Sequence, residues 1–261
     1  MDNKTAKLST ELRSFKNLWE GGYYEGDPLD PMGKSSYGLL GFMSVLHATY
    51  LRCIKPYVNN QTVALEIGPG RGAWTKTLLD SKEIYVLDAL SEEHNRFFEY
   101  LGYPKNVKYF QVLNFNCEAL PEDYFNFMFS FGCMCHVSFE GITEYAINLY
   151  PKLKQGSNCF WMIADYDKKN NAILIHNKLN VSDFIIPEGR RYLPKKWLLS
   201  FLGVTKLDLQ NKDEDKEPRP GRWYHAGIEK TCAMLREVGY RIVDPDVGTT
   251  LRDPIIHFVK D

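Results

Sequence analysis

Apolar and polar positions along this chain follow two alternating rhythms. Between residues 62 and 165, short apolar runs alternate with stretches of helical spacing. The runs near 62–67, 83–88, 107–113, 126–132 and 158–164 predict strands, with helices between them, the last around 139–153. Such alternation implies parallel strands joined by right-handed crossovers, an α/β class of fold. Ahead of this core, residues 11–18 predict a helical lead-in. Glycines and prolines then crowd Trp19-Glu20-Gly21-Gly22-Tyr23-Tyr24-Glu25-Gly26-Asp27-Pro28-Leu29-Asp30-Pro31, too densely for regular structure. Helical spacing returns over 37–56 through Leu39, Leu40, Phe42, Met43, Leu46 and Leu51.

Beyond the core the rhythm breaks over 168–222. That stretch holds an apolar, helix-like part at 197–202 and a polar run at 210–217 that reads as a solvated loop. A helix over 228–238 and apolar runs at 241–243 and 255–259 then restore the pattern. The expectation is one domain over 1–261, capped by two excursions: a lid segment at 1–36 and a specificity insertion at 168–222. No internal repeat is visible.

Composition narrows the picture. A chain of 261 residues, 44% hydrophobic, can bury one substantial core. The formal net charge of −1 provides no basic field to recruit nucleic acid or an anionic membrane. Met1-Asp2-Asn3-Lys4 lacks the apolar heart of a signal peptide, and no run is long enough to cross a bilayer, so a cytoplasmic protein is expected. The six cysteines (53, 117, 133, 135, 159 and 232) mostly have apolar neighbours. Cys133-Met134-Cys135 does not have zinc spacing; on a strand ending the two thiols would share one side, and packing is the expected role.

The richest chemistry lies in Val63-Ala64-Leu65-Glu66-Ile67-Gly68-Pro69-Gly70-Arg71-Gly72. It reads as a buried strand, a tight turn and a helix over 73–79. Glycines there let backbone approach a ligand closely. Gly68-x-Gly70-x-x-Ala73 also satisfies the Gly/Ala form of a dinucleotide fingerprint. Either ligand needs a second strand ending in an acid for ribose hydroxyls, and Glu83-Ile84-Tyr85-Val86-Leu87-Asp88 ends 22 positions after Glu66. Asp88 does not choose between them. Glu66 bears on the choice: an NAD site usually keeps that position apolar, whereas a carboxylate at a strand's carboxyl end can hold an ammonium group.

The glycine segment resembles the first motif of class I S-adenosylmethionine (SAM) methyltransferases. Asn114-Phe115-Asn116-Cys117-Glu118-Ala119-Leu120-Pro121 and the following Tyr124-Phe125-Asn126-Phe127-Met128-Phe129-Ser130-Phe131 are similar to that family's adenine-side loop and fourth strand. Asn116 stands where many relatives have Asp, and its amide can still contact an adenine amino group. The resemblance implies a Rossmann-like fold: a mostly parallel seven-stranded sheet flanked by helices and ended by an antiparallel hairpin. It implies SAM as cofactor, with S-adenosylhomocysteine as product, held by Glu66, Gly68, Gly70, Gly72, Asp88, Ala89, Asn116, Cys117 and Phe131. An oxidoreductase would need Glu66 and the Asn116 loop to be coincidental.

Residues 19–28, 132–137 and Asp165-Tyr166-Asp167 further resemble sugar methyltransferases encoded in bacterial capsule and surface-polysaccharide clusters. That likeness implies O-methylation of a nucleotide-linked sugar such as a heptose. Another capsule decoration such as a phosphoramidate group, or an unrelated small molecule, is the alternative. Nucleic-acid base methylation normally carries Asp/Asn-Pro-Pro-aromatic after the fourth strand, where this chain has Phe131-Gly132-Cys133-Met134.

Methyl transfer to a hydroxyl is an in-line displacement that needs a base or a metal. In an open parallel sheet the candidates stand just past strand ends: His136 after the fourth strand, Asp165 after the fifth, His225 before the last helix. His136 serves equally as a neutral hydrogen-bonding partner beneath the cofactor. Substrate candidates are Tyr24, Tyr166, Asp167, Arg190, Arg222 and Trp223. Trp19, Tyr23, Tyr24 and Tyr37 form either an aromatic lid or a small closing cluster. Arg190, Arg191, Lys195, Lys196, Arg219 and Arg222 suit an anionic substrate. Asp165, Asp167, Asn170 and Asn171 offer oxygen ligands for Mg²⁺, but metal dependence is not favoured. His47, His94 and His257 read as structural or exposed, and His176 has no assigned role.

Overall fold

The computed structural model describes residues 3–175 and 223–261. The expectations at 197–202, at 210–217 and at His176, Arg190, Arg191, Lys195, Lys196, Arg219 and Arg222 lie outside them. Seven strands, β1 (Val63–Ile67), β2 (Glu83–Asp88), β3 (Val107–Gln111), β4 (Phe125–Ser130), β5 (Leu153–Met162), β6 (Tyr240–Asp244) and β7 (Ile255–Lys260), form one sheet. Their spatial order is β3-β2-β1-β4-β5-β7-β6. The first five are parallel, and β7 runs antiparallel to both β5 and β6. The order reverses between β1 and β4, the place where an open α/β sheet leaves a crevice beyond its carboxyl ends.

The described helices are α1 (Asn3–Ser14), α2 (Val45–Thr49), α3 (Glu92–Asn95), α4 (Phe97–Leu101), α5 (Phe139–Leu149), α6 (Tyr166–Ile175) and α7 (Ile228–Val238). Every residue of β1 is buried, because helices cover both faces of the sheet. The period of two then sorts its side chains. Val63, Leu65 and Ile67 join a core with Met128, Trp161 and the apolar sides of α5 and α7. Ala64 faces the other way, with Phe127, Phe129, Leu46, Cys53 and Ile54. Among the described residues, no helix is long and apolar enough to cross a membrane.

Several elements depart from the sequence expectations. The lead-in helix occupies Asn3–Ser14 and ends in a 3₁₀ turn at Phe15–Asn17. Residues 37–56 are not one helix. Leu39–Leu40 pairs antiparallel with Met43–Ser44 around Gly41 (φ 61°), leaving Phe42 91% exposed at the turn. The helix starts only at Val45 and continues in a wider π turn over Tyr50–Ile54. After β1 the chain makes turns and a short 3₁₀ helix at Thr75–Leu78 in place of the expected 73–79 helix. Residues 112–124 hold no helix. There Asn114 Oδ1 accepts from Asn116 N at 3.2 Å and Asn116 Oδ1 from Glu118 N at 3.4 Å, local bonds that compete with a helix.

One tether brings the amino terminus onto the crevice. The Ser138 N–H and Oγ–H donate to the two Glu11 oxygens, each at 2.6 Å, while Ser138 Oγ caps α5 by accepting from Gly141 N at 3.1 Å. Helix α1 is thereby pinned beside the β4 exit.

Candidate functional site

A cavity opens at the carboxyl ends of β1, β2 and β4. Ile67, Gly68, Gly70, Asp88, Ala89, Cys133 and His136 line it from the sheet, and Leu12, Phe15, Trp19 and Tyr23 close it from the amino-terminal side. The turn after β1 carries Gly68, Gly70 and Gly72 at φ 72°, 54° and 102°, in the left-handed region. Protein, rather than open space, meets each missing side chain. A Cβ at 68 would stand 2.3 Å from Cys133 Cβ, and one at 70 would stand 2.9 Å from the Tyr23 carbonyl oxygen. One at 72 would press on Leu101 at 3.1 Å, so Gly72 serves packing against α4 and does not line the cavity.

Asp88 ties the turn to β2. Its Oδ2 accepts from Gly70 N at 3.2 Å and its Oδ1 from Leu90 N at 2.9 Å. Burial pushes its pKa up to about 6, against the pull of those donors.

Strand parity sends Glu66 to the far face, away from the cavity lining. It is 2% exposed and accepts from Thr75 Oγ1 at 2.6 Å. Burial raises its pKa to about 8, with the charges of Glu25 and Asp88 adding to the rise. Phe131, expected against the cofactor, shares that face and packs on Trp74 (4.5 Å between ring centres) and Tyr37 (5.1 Å). Asn116 is exposed, and Cys117 is buried in the core at φ 52°, its thiol pushed up to about 12 by burial. None of these four lines the cavity. Cys133 and Cys135 also separate. The strand stops at Ser130 and a 3₁₀ turn follows, so Cys133 packs towards one core and Cys135 enters the other, as thiols with raised pKa. Among the described residues no group of three or more His, Cys, Asp or Glu side chains is placed to hold a metal ion.

Of the three candidate proton acceptors, only His136 lines the cavity, with the Trp19 ring edge-on at 5.1 Å. Asp165 is bonded to two helix starts. Its Oδ1 accepts from Lys168 N at 2.9 Å, in the first turn of α6, and its Oδ2 from Ile228 N at 2.8 Å, the first residue of α7. His225 accepts the Tyr166 N–H on Nδ1 at 3.0 Å and pairs with Ala164 beyond β5. Tyr166 is buried and its hydroxyl donates to the Trp223 carbonyl; Asp167 is exposed. Tyr24 also points outward, onto Tyr100 at 5.5 Å. Of the aromatic lid, Trp19 and Tyr23 meet over the cavity at 5.7 Å, whereas Tyr37 belongs with Phe131.

Glu25, Asn95 and Arg252 escaped the sequence reading. Glu25 Oε1 accepts from Trp74 Nε1 at 3.3 Å, and burial around its carboxyl lifts the pKa to about 7. Arg252 lies between Tyr37 (5.1 Å) and Trp223 (4.8 Å), with Nε on Asp253 Oδ2 at 2.6 Å and Nη2 donating to Tyr37 OH at 3.2 Å. One signal was available: β7 runs antiparallel and starts opposite Met162, so the loop before it returns to the carboxyl ends of the parallel strands. Glu25 sits in an irregular segment with no periodicity to mark it.

No family model and no curated protein matches this sequence. Solved structures do match. A SAM-dependent methyltransferase from Mesorhizobium loti superposes with a TM-score of 0.54 at 14% identity, over 83% of this chain and 98% of that one. A provisionally assigned SAM-dependent methyltransferase from Listeria monocytogenes gives 0.51 at 15% identity, over 82% and 99%. The chain thus has the Rossmann-like fold of class I methyltransferases, as its motifs implied.

Proposed function

We propose that this protein is a SAM-dependent O-methyltransferase acting on a small molecule. The observation that carries the reading is how the glycine turn spends its backbone donors. Gly68 N donates to Leu87 O (2.8 Å), Gly70 N to Asp88, Arg71 N to Tyr23 O (3.1 Å) and Gly72 N to Pro69 O (2.9 Å). A dinucleotide site needs such N–H groups turned outward to a pyrophosphate at a helix start, and here a short 3₁₀ turn follows instead. A nucleoside carrying no phosphate fits this arrangement, with Asp88 for the ribose hydroxyls and Ala89 for the base; Glu66, on the far face, does not reach the cavity. The cofactor supplies an electrophilic methyl group. His136 stands where it can take the acceptor's proton as the new O–C bond forms.

The acceptor in this reading is a nucleotide-linked sugar such as a heptose, bound for capsular polysaccharide. Its support is the capsule-cluster resemblance and the Arg252 guanidinium, which lies 5.1 Å from the Tyr37 ring centre and 4.8 Å from that of Trp223 at the strand ends and is suited to an anionic group. Asp165 and His225 serve as positioning residues at the β5 exit, with Tyr166 and Trp223 shaping that wall. Calorimetric titration with S-adenosylhomocysteine, and with NAD in parallel, tests the cofactor. Micromolar binding of the first alone supports methyl transfer and opens a screen of nucleotide sugars, with and without Mg²⁺. Binding of NAD alone overturns it.

A further inference from the structure

Glu25 and Arg252 bring opposite charges to the same two tyrosines, Tyr23 and Tyr37, yet they do not pair with each other. Gly132 lines the cavity, and Glu25 Oε1 lies 3.3 Å from the place a Cβ on it would take. Glu25 thus stands at the cavity wall, only partly buried, without belonging to the lining. Arg252 lies over Tyr37, whose ring packs on Phe131, the residue before Gly132.

Fixed partners hold the two charges apart. Trp74 Nε1 donates to Glu25 Oε1 at 3.3 Å. Asp253, fully buried, accepts from Arg252 Nε at 2.6 Å, and Tyr37 OH accepts from Nη2 at 3.2 Å. Among the described residues no cation pairs with Glu25, and Arg252 Nη1 has no acceptor. An acid and a cation free to move would gain by closing on each other. Held apart, they suit a ligand that brings an anionic group to one and hydrogen-bond donors to the other, since an ionised carboxylate only accepts. Tyr23, 46% exposed and lining the cavity, adds aromatic surface where the two meet.

We propose that Glu25 is a specificity-determining residue for the acceptor, taking hydrogen bonds from sugar hydroxyls while Arg252 holds the neighbouring phosphate. The inference rests on the acceptor reading above and deepens it: the irregular 19–31 segment covers the cavity and also selects what is methylated beside it. Trp74 anchors one carboxylate oxygen and leaves the second for the ligand. A bare phosphate engages only the Arg252 end, whereas a sugar carrying one engages both. An ammonium group is the competing donor, and an amino sugar tests it.

The test is calorimetry on protein saturated with S-adenosylhomocysteine. The probes are UDP-glucose and GDP-mannose, each against its own nucleoside diphosphate, and UDP-glucosamine. The better-bound sugar should exceed its diphosphate by about tenfold in the wild type. Glu25→Gln, which keeps the bond from Trp74, should abolish that margin and leave the diphosphates unchanged. Arg252→Lys should weaken sugar and diphosphate alike, and both variants should bind S-adenosylhomocysteine as the wild type does. A margin absent from the wild type, or one that survives Glu25→Gln, overturns the proposal and leaves the nucleotide-sugar reading intact. Weakened S-adenosylhomocysteine binding by Glu25→Gln also overturns it, as a merely structural role. A Glu25-dependent gain for UDP-glucosamine alone replaces the hydroxyl with an amine and overturns it too. Wild-type protein that binds none of the nucleotide ligands removes the acceptor reading and the proposal together.

Discussion

The backbone N–H of Gly22 donates to Asn95 Oδ1 at 3.0 Å, fastening the amino-terminal segment to α3 beyond β2. Asn95 is itself held, since its Nδ2 donates to Tyr109 OH at 2.9 Å, and that hydroxyl donates to Leu90 O at 2.8 Å. His94 adds a second fastening through Nε2 to the Trp19 carbonyl at 3.1 Å. The segment over the cavity is therefore keyed to the strand end that carries Asp88.

Asn95→Ala should loosen that fastening. Losing a buried hydrogen bond costs about 1–3 kcal/mol, so S-adenosylhomocysteine affinity should fall about tenfold or more. Limited proteolysis should cut within 15–31 faster than in the wild type, and ligand should protect less. Unchanged cleavage would show that Gly22 is held by other contacts.

Glu66 gives a pH signature to stability. Its pKa is raised from 4.5 to about 8, so the folded chain binds more protons than the unfolded one across that window. Stability of the ligand-free protein contributed by this group should therefore fall as pH rises from about 5 to 8. Glu66→Gln removes the cost: its melting temperature should exceed the wild type's by several degrees at pH 8, at about 2–4 °C per kcal/mol, and match it near pH 5. Parallel curves at both pH values would contradict this ionisation behaviour.

Asp165→Ala should behave as a lost cap. Two helix starts lose a carboxylate acceptor, at about 0.5–2 kcal/mol each, so the denaturant midpoint should drop while S-adenosylhomocysteine affinity holds. His136→Ala should do the reverse, sparing stability and impairing turnover. A stable Asp165→Ala protein that has lost turnover would move Asp165 from positioning to chemistry.

Arg252→Lys keeps the charge but loses the flat guanidinium and its fork to Asp253 and Tyr37. With an acceptor found by the nucleotide-sugar screen, KM should rise about tenfold or more, equivalent to about 1.4 kcal/mol, with S-adenosylhomocysteine affinity unchanged. A constant KM would place the anionic group elsewhere.

Much of the scaffold was legible before the structure. The five parallel strands, the closing hairpin and the 228–238 helix stand close to where the apolar rhythm puts them. The rhythm misled where other forces prevail. Leu39 to Met43 matches helical spacing, yet Gly41 turns the chain back, and the Asn114 and Asn116 side chains claim the backbone that a helix would need.

The pattern in the chain settled which residues form strands, where the parallel sheet ends, and that Asp88 stands at a strand terminus. Those are local matters, governed by a backbone repeat of two or 3.6 residues and by glycine's access to positive φ. Folding settled which face of the sheet would carry the cavity, and so parted Gly68 and Asp88 from Glu66 and Phe131. It also brought Glu25, from an irregular segment, to Trp74, and Arg252, from the loop before β7, to Tyr37. Contacts between residues so distant along the chain come from packing two cores onto one sheet, and no local repeat encodes them.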